Sequence, residues 1–389
     1  MIDHIDAYRD WWTAGAAFIL VTITDVRQSA PLPPGHTMAV GPATTTGQVR
    51  EIEDLQVVGS VSGGCIESDV LYRAFDMLVG DTKVSAARFG FSEETAFAHG
   101  LTCGGELEVL LERVDSTDFP QFGNVCTNIA AGRTVTLATE ISRSQTSTLD
   151  RAVDIDGVSR SDRCTPASVA LDAFLEVSSR AAQRDSALVE VAGAAGSQVF
   201  VRRYTPAPRM IIFGAIDFAA ALSRVAKDAG YHVTICDARA TFATDVRFPD
   251  ADSVVVDWPH RYLEEQLGAA GNLDHRTALC VLTHDLKYDV PLLNVALRSS
   301  VNYVGAMGSR RTHAERTRAL LDSGLLTAGE LDRIYSPIGL DLGGSSPGET
   351  AISIMAEVLA ARYDGTGRPL SHVTSPIHRD RAPLAEIST

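Results

Sequence analysis

The stretch that decides the fold is RMIIFGAIDFAAALSRVAKDAGYHVTICD, residues 209–237. Residues 210–213, after Arg209, are apolar and favour a buried strand over 209–213, and Gly214 permits the turn that follows. Residues 217–229 repeat apolar side chains at helical spacing, and 231–235, with Tyr231, Val233 and Ile235 at alternate positions, predicts a second strand. A strand, a helix and a strand of these lengths form a βαβ unit. The segment therefore predicts a Rossmann-like, doubly wound parallel sheet.

The glycine fingerprint of dinucleotide-binding sites is broken in this unit. The sequence GAID at 214–217 puts Ile216 where a second glycine would let a pyrophosphate approach the backbone. The carboxylate of Asp217 would also compete with an anion for the helix N-terminus. Gly214 and Asp237 are still candidate nucleotide-binding residues, because an acidic residue after the second strand can bind a ribose. Asp237 is equally explained as a turn residue, and we expect no tight binding of NAD(P).

Strand and helix patterns continue to alternate after this unit and define a predicted domain at 209–363. Three sequences follow its later strands: DWPH at 257–260, THDLKYD at 283–289 and GAMGSRR at 305–311. Ligands of open parallel sheets bind beyond the carboxyl ends of the strands, where these sequences fall. We expect Asp285, within the second sequence, to cap the following helix.

The third of these sequences contains a candidate anion site. Ser309 can cap the next helix, and Arg310 and Arg311 add positive charge at its start. An ordinary helix cap with two solvated arginines explains the same residues equally well.

Two prolines in TPAP, at 205–208, mark a stiff linker between this domain and the residues before it. Helix and strand patterns are mixed in 1–204, which predicts an N-terminal mixed α/β domain. The segment 364–389 is rich in Pro, Ser and Arg, and we expect it to be a disordered tail.

The N-terminal domain contains the sequence GSVSGGCIES at 59–68. Gly63 and Gly64 permit positive φ angles, and helical spacing begins directly after Cys65. The N-terminus of a helix lowers the pKa of a thiol and attracts anions, so Cys65 is a candidate ligand or reactive thiolate. The alternative is a small buried residue at a tight turn.

A second cysteine also lies beside a glycine pair, in GLTCGGELEVLLE at 100–112. Here Cys103 precedes Gly104 and Gly105, and a strand pattern follows. The two cysteines could meet across one cleft. Two independent turn cysteines would explain the pattern as well.

Composition excludes several classes of function. The chain of 389 residues is 45% hydrophobic, and its 34 basic and 49 acidic residues give a formal net charge of −15. This charge argues against binding to nucleic acid or a membrane surface. The cysteines form no CxxC pair, and no HExxH motif is present, which argues against common zinc and iron–sulfur modules. The apolar run at 14–23 is too short to span a bilayer and has no basic segment before it, so we expect a cytoplasmic protein.

Together these motifs resemble those of the XdhC/CoxI family, accessory factors of molybdenum hydroxylases such as xanthine dehydrogenase and aerobic carbon monoxide dehydrogenase. The resemblance rests on the two cysteine sequences and on three later ones. These are VLTHDLKYDVPLL, YVGAMGSRRT and SPIGLDLGGSSPGETAISIMAEVLA.

The resemblance implies a chaperone, more than a catalyst, that binds the molybdenum cofactor, assists its sulfuration and delivers it to an apo molybdenum hydroxylase. It implies Cys65 as the contact to molybdenum through the cofactor, Cys103 as a second contact, and 309–311 as a site for the pterin phosphate. A cysteine desulfurase and a second copy of the chain are implied partners. Chains of this kind can carry the name xanthine dehydrogenase, but that enzyme needs clustered cysteines and a much longer chain.

Two other functions are kept as alternatives. One is an NAD(P)-dependent thiol oxidoreductase that uses the second domain. The other is a module that docks onto a dehydrogenase and binds no cofactor.

Overall fold

The computed structural model describes residues 4–27, 32–44, 49–64, 66–90, 106–142, 151–155, 158–161, 186–190, 197–268 and 273–374. The predicted site residues Cys65, Cys103, Gly104 and Gly105 lie outside these ranges. The described chain separates into two compact units, one within Met1–Pro206 and one formed by Ala207–Thr374.

The first unit begins with a five-stranded antiparallel sheet whose strand order is β3-β2-β1-β5-β4. Its strands are β1 (Phe18–Arg27), β2 (Thr37–Pro42), β3 (Leu55–Gly59), β4 (Val84–Phe89) and β5 (Glu106–Val114).

Both faces of this sheet are covered, because successive side chains of β1 point to opposite sides. Ile19 and Val21 belong to a core that includes Val70 and Ala74 of helix α2. Their neighbour Phe18 packs on the other face with residues of α1 and α3. These helices are α1 (Ile5–Thr13), α2 (Glu67–Val79) and α3 (Phe122–Ala130); a single 3₁₀ turn, Ile52–Asp54, precedes β3.

A second antiparallel sheet completes the first unit, in the order β8-β7-β6-β10-β9. Ile155 of β7 pairs with Val158 of β8 in antiparallel register. Arg202 donates from Nη1 to Thr22 Oγ1 of the first sheet at 3.0 Å. The strands are β6 (Val135–Ser142), β7 (Arg151–Ile155), β8 (Val158–Ser161), β9 (Ser186–Glu190) and β10 (Ser197–Tyr204).

The second unit has a six-stranded parallel sheet in the order β13-β12-β11-β14-β15-β16. Counted within this unit, the order is 3-2-1-4-5-6, that of a Rossmann fold, and it confirms the predicted doubly wound sheet. The strands are β11 (Arg209–Phe213), β12 (His232–Cys236), β13 (Ser253–Val255), β14 (Ala278–Val281), β15 (Tyr303–Ala306) and β16 (Ile334–Tyr335).

Helices cover both faces of the parallel sheet. Met210 and Ile212 of β11 pack with residues of α4 and α9, and Ile211 and Phe213 pack with residues of α5, α6 and α7. The helices are α4 (Asp217–Asp228), α5 (Pro259–Gly268), α6 (Leu286–Ala296), α7 (Arg310–Asp322), α8 (Ala328–Leu331) and α9 (Pro347–Tyr363).

The predicted tail begins after α9. Its described part, up to Thr374, contains a 3₁₀ turn at Leu370–His372 with exposed side chains, and 375–389 lies outside the described ranges. Among the described helices, none has the length and apolar content needed to cross a membrane.

Candidate functional site

The glycine pair before position 65 lies in the loop between β3 and α2. Gly63 has φ 74° and Gly64 has φ 119°, both in the region that favours glycine. A Cβ atom added at either residue would meet no other atom within 4 Å. The backbone conformation of the loop, and not crowding by neighbours, therefore requires glycine at both positions.

The carboxylate of Glu67, in the first turn of α2, holds this loop together. Its two oxygens accept hydrogen bonds from backbone and hydroxyl groups on both sides of position 65. The donors are Ser60 Oγ (2.6 Å), Val61 N (3.2 Å), Ser62 N (2.9 Å), Gly64 N (2.9 Å), Ile66 N (3.2 Å) and the hydroxyl of Ser62. One side chain thus fixes the backbone immediately before and after Cys65.

Glu67 is ionised over the whole physiological pH range. Burial alone would raise the pKa of its carboxyl group, but the hydroxyls of Ser60 and Ser62 and the Ser62 amide outweigh burial and lower the pKa to about 2. The carboxylate occupies amides that the sequence suggested for an external anion. An anion at this helix start would have to compete with Glu67 for the same N–H groups.

The described cysteines are core residues and not ligands. Cys126, Cys236 and Cys280 are buried, and burial raises the pKa of each thiol, to about 12 for Cys126 and Cys236. Such thiols are poor nucleophiles and poor metal ligands at neutral pH. Within the described ranges, no group of three or more His, Cys, Asp or Glu side chains could hold a metal ion.

Gly214 and Asp237 meet at the turn after β11. Gly214 has φ 115°, and a Cβ atom there would lie 3.1 Å from Thr283 N in the loop after β14. The buried Asp237 accepts hydrogen bonds from Ala215 N at 2.8 Å and from Arg239 N, Nε and Nη2 at 2.8–3.0 Å.

These hydrogen bonds limit how the Asp237 carboxylate could bind a nucleotide. Burial would raise the pKa of Asp237, but hydrogen bonds from Arg239 and Ala215 outweigh burial and lower it, so the carboxylate is ionised and its oxygens are engaged. A ribose could bind this carboxylate only after Arg239 moved away. The nucleotide-binding role of Gly214 and Asp237 stays a prediction.

Ser309 caps helix α7, as the sequence predicted. Its Oγ accepts a hydrogen bond from Thr312 N at 3.1 Å. Arg310 is exposed, whereas Arg311 donates from Nε to Glu315 Oε1, one turn along the helix, at 2.9 Å. Asp285 likewise caps α6 by accepting from Lys287 N, which confirms that expectation. Phosphate binding by 309–311 stays a prediction.

A buried ion pair beneath these loops was missed by sequence reasoning. Asp289 of α6 accepts from Arg316 Nη2 at 2.8 Å and from Nε at 3.0 Å, and both side chains are fully buried. Thr283 Oγ1 donates to the other carboxylate oxygen at 2.5 Å, and Arg316 Nη2 also donates to the Met307 carbonyl at 2.9 Å. The pair therefore links the loops that follow β14 and β15.

Two family models match this chain. The XdhC and CoxI family model matches residues 11–90, which include the Gly63–Gly64 loop, and the XdhC Rossmann domain model matches 210–358. The chain belongs to the XdhC/CoxI family. The Rossmann domain of the family is the six-stranded parallel sheet of the second unit with its helices.

Relatives and a solved structure extend the likeness over most of the chain. A probable xanthine dehydrogenase subunit of Bacillus subtilis (strain 168) is 26% identical over 312 residues, 78% of this chain and 84% of that protein. The molybdenum cofactor insertion chaperone PaoD of Escherichia coli (strain K12) is 25% identical over 349 residues, 90% of this chain and 85% of that protein. A crystal structure described as a xanthine dehydrogenase from Bacillus halodurans has a TM-score of 0.70 at 24% identity, covering 96% of this chain and 98% of that chain, and so shares the fold.

Proposed function

We propose that this protein is a maturation factor that binds the molybdenum cofactor and inserts it into a molybdenum hydroxylase of the xanthine dehydrogenase or carbon monoxide dehydrogenase type. The observation that carries the proposal is the loop at 60–66, which lies inside the matched family segment and which Glu67 fixes on both sides of Cys65. A relative that aligns with 90% of the chain is named an insertion chaperone for this cofactor.

Cys65 is the proposed contact to molybdenum. A thiolate is a soft ligand of the kind that suits the metal of this cofactor or accepts sulfur. The hydrogen bonds from Gly64 N and Ile66 N to Glu67, on either side of position 65, support this proposal. The three described cysteines are buried with raised pKa values, so they do not compete for this role.

Further contacts to the cofactor are proposed in each unit separately. Cys103, with Gly104 and Gly105 beside it, is the proposed second contact to the cofactor. Arg310, exposed at the start of α7, is the residue of 309–311 best able to bind the pterin phosphate, because Arg311 is paired with Glu315. The cofactor itself supplies the molybdenum centre, and the chain's residues hold and orient it.

The proposal is tested by co-purification of molybdopterin with the wild-type chain and with Cys65→Ala. We expect the wild type to carry the cofactor and Cys65→Ala to lose most of it. Cys126→Ala, with circular dichroism to show that it folds, is the matched control because its thiol lies in the core and should leave occupancy unchanged. Equal occupancy in the wild type and Cys65→Ala would refute the role of Cys65.

Delivery of the cofactor to the hydroxylase is tested in a separate experiment. Loaded protein mixed with apo molybdenum hydroxylase should restore hydroxylase activity, and Cys65→Ala prepared in the same way should restore little. A cysteine desulfurase as sulfur donor and a homodimer belong to the same proposal. Pull-down with the desulfurase and analytical ultracentrifugation of the full chain test them separately.

The alternative of an NAD(P)-dependent thiol oxidoreductase conflicts with the geometry after β12. The Asp237 carboxylate is engaged by Ala215 and Arg239, and Ile216 stands where the fingerprint has glycine. Titration with NADPH should therefore give no binding at micromolar concentrations. Tight binding would favour the oxidoreductase.

A further inference from the structure

An aromatic pair joins two strand-end loops of the parallel sheet. Trp258 follows β13, and Tyr288 lies in the first turn of α6, after β14. Their ring centroids are 5.3 Å apart, with an angle of 48° between the planes. Because β12 and β11 separate β13 from β14 in the sheet, this contact spans two strands at the carboxyl edge.

The tryptophan of this pair is open to solvent. Trp258 is 41% exposed, while Tyr288 is half-buried and supports it from one side. At 5.3 Å the two rings are already in contact, so a third ring could not enter between them. It could stack on the open part of Trp258, and every planar aromatic ligand offers a face for such contact.

Two cations lie at this edge of the sheet, and one of them contacts a ring of the pair. Lys287 Nζ lies 4.6 Å from the ring centroid of Tyr288. Arg239, at the end of the neighbouring strand β12, has its guanidinium 4.6 Å from the ring centroid of Phe242, which is 43% exposed. The hydrogen bonds to the Asp237 carboxylate hold this guanidinium in place and raise its pKa.

We propose that Trp258 and Tyr288 form a stacking platform for a planar heteroaromatic ring, the base of a nucleotide or a pterin. The platform lies at the carboxyl ends of parallel strands, the edge at which doubly wound sheets bind small ligands. Lys287, which contacts Tyr288, can approach ring π-systems and ring carbonyl oxygens. A pterin ligand would rest on the proposed function, whereas a nucleotide ligand would be separate from it, and neither depends on Cys65.

The sequence offers a convenient probe for this platform. The chain has three tryptophans, at 11, 12 and 258, so Trp258 is the only one in the second unit. Trp11 and Trp12 donate their indole N–H groups to the carbonyls of Pro42 and Phe119 inside the first unit. A ring that stacks on the platform should quench the emission of Trp258.

The experiment titrates the full chain with AMP, CMP and a 6-substituted pterin, by fluorescence and by calorimetry. We expect one ring type to quench the emission, and calorimetry to show affinity at least ten-fold weaker for Trp258→Ala and for Tyr288→Ala. Trp258→Phe keeps an aromatic face and should recover part of the affinity. Tyr72→Ala removes a 59% exposed aromatic side chain of the first unit and serves as the control, with unchanged affinity.

The outcomes distinguish a pterin ligand from a nucleotide ligand, and some of them would refute the proposed platform. Binding of the pterin alone identifies a pterin ligand, and binding of AMP or CMP alone identifies a nucleotide. No binding of any ring at millimolar concentration, or equal affinity in wild type and Trp258→Ala, overturns the proposal. A pull-down with apo molybdenum hydroxylase adds a further outcome: if Trp258→Ala loses the hydroxylase and no ring binds, the proposal is overturned, since the aromatic pair would then be a protein-docking surface.

Discussion

Asp289 and Arg316 are 27 residues apart in sequence, yet their carboxylate and guanidinium meet at 2.8 Å with neither side chain exposed to solvent. Thr283 Oγ1 and the Met307 carbonyl complete their hydrogen bonds. The pair belongs to the core, but the groups it holds are in loops at the carboxyl edge of the parallel sheet. Its main effect is to keep those loops in fixed positions.

Breaking this pair should destabilise the second unit strongly. Arg316→Met leaves the Asp289 carboxylate buried without its cation, and we expect the free energy of unfolding to fall by about 3–5 kcal/mol. Urea unfolding followed by Trp258 emission measures this change. Arg311→Ala breaks the exposed pair with Glu315 and should lower the free energy of unfolding far less, because solvent screens exposed charges. If the free energy of unfolding fell by a similar amount in both variants, the conclusion that the buried pair contributes more to stability than the exposed pair would be wrong.

The Glu67 hydrogen bonds should stabilise the first unit in a pH-dependent way. The folded pKa, about 2, lies below the ordinary value of 4.5, so the ionised form is favoured by folding. The stabilisation is complete above about pH 4.5 and is lost as the pH falls towards 2. At pH 7 we expect Glu67→Gln to lower the free energy of unfolding by roughly 1–3 kcal/mol, with the difference from wild type shrinking below pH 4.5.

Emission of Trp11 and Trp12 in a Trp258→Phe background reports unfolding of the first unit for this test. Glu53→Gln, at an exposed glutamate of the same unit, is the control and should show little difference at any pH. A difference between wild type and Glu67→Gln that stays constant from pH 7 to pH 3 would mean that the ionised carboxylate does not hold the loop.

A side chain at Gly214 should destabilise the protein through backbone strain and through crowding. A comparison with Gly230, where only strain is expected, separates the two effects. Gly214→Ala adds a Cβ at φ 115° and 3.1 Å from Thr283 N, whereas Gly230→Ala adds one at φ 80° with nothing within 4 Å. We expect about 1–2 kcal/mol of destabilisation for Gly230→Ala from backbone strain alone. Gly214→Ala should cost about 1–3 kcal/mol more because of crowding. Equal thermal unfolding of the two variants would contradict the close approach of the two loops.

The described cysteines should resist alkylation in the folded protein. Burial raises the pKa of Cys126, Cys236 and Cys280, so few thiolates form near pH 8 and the reagent cannot reach them. Mass spectrometry after iodoacetamide treatment should find these three modified only in denaturant. The proposed role of Cys65 requires that it be modified in the native protein. Native labelling of Cys280 would contradict the packed core of the second unit.

Much of the fold could be predicted because apolar periodicity is strong where a sheet is buried on both sides. Arg209–Phe213 and the helix Asp217–Asp228 were predicted to within one residue. The two-residue strand Ile334–Tyr335 was not predicted, because so short a segment carries no periodic signal. The antiparallel pairing of the first unit depends on contacts between distant strands, such as β1 with β5, which a local pattern does not contain.

The candidate site could be predicted only in part, because sequence shows residue types and not their partners. The glycines at 63 and 64 were identified from their permissive backbone. Glu67 was missed because an acidic residue in the first turn of a helix is common. Arg316 was missed because a helical arginine is normally exposed, although it lies four residues before the buried Leu320 on the same helical face.

The hydrogen bonds of Glu67 affect how the proposed cofactor would be bound and released. Because the amides around position 65 are already satisfied, a bound molecule neither has to order this loop nor gains new amide bonds from it. Its attachment would then depend on the contact at Cys65 and on groups elsewhere in the chain. A carrier built in this way can load and unload without refolding, and the receiving enzyme has only a few interactions to replace when it takes the cofactor over.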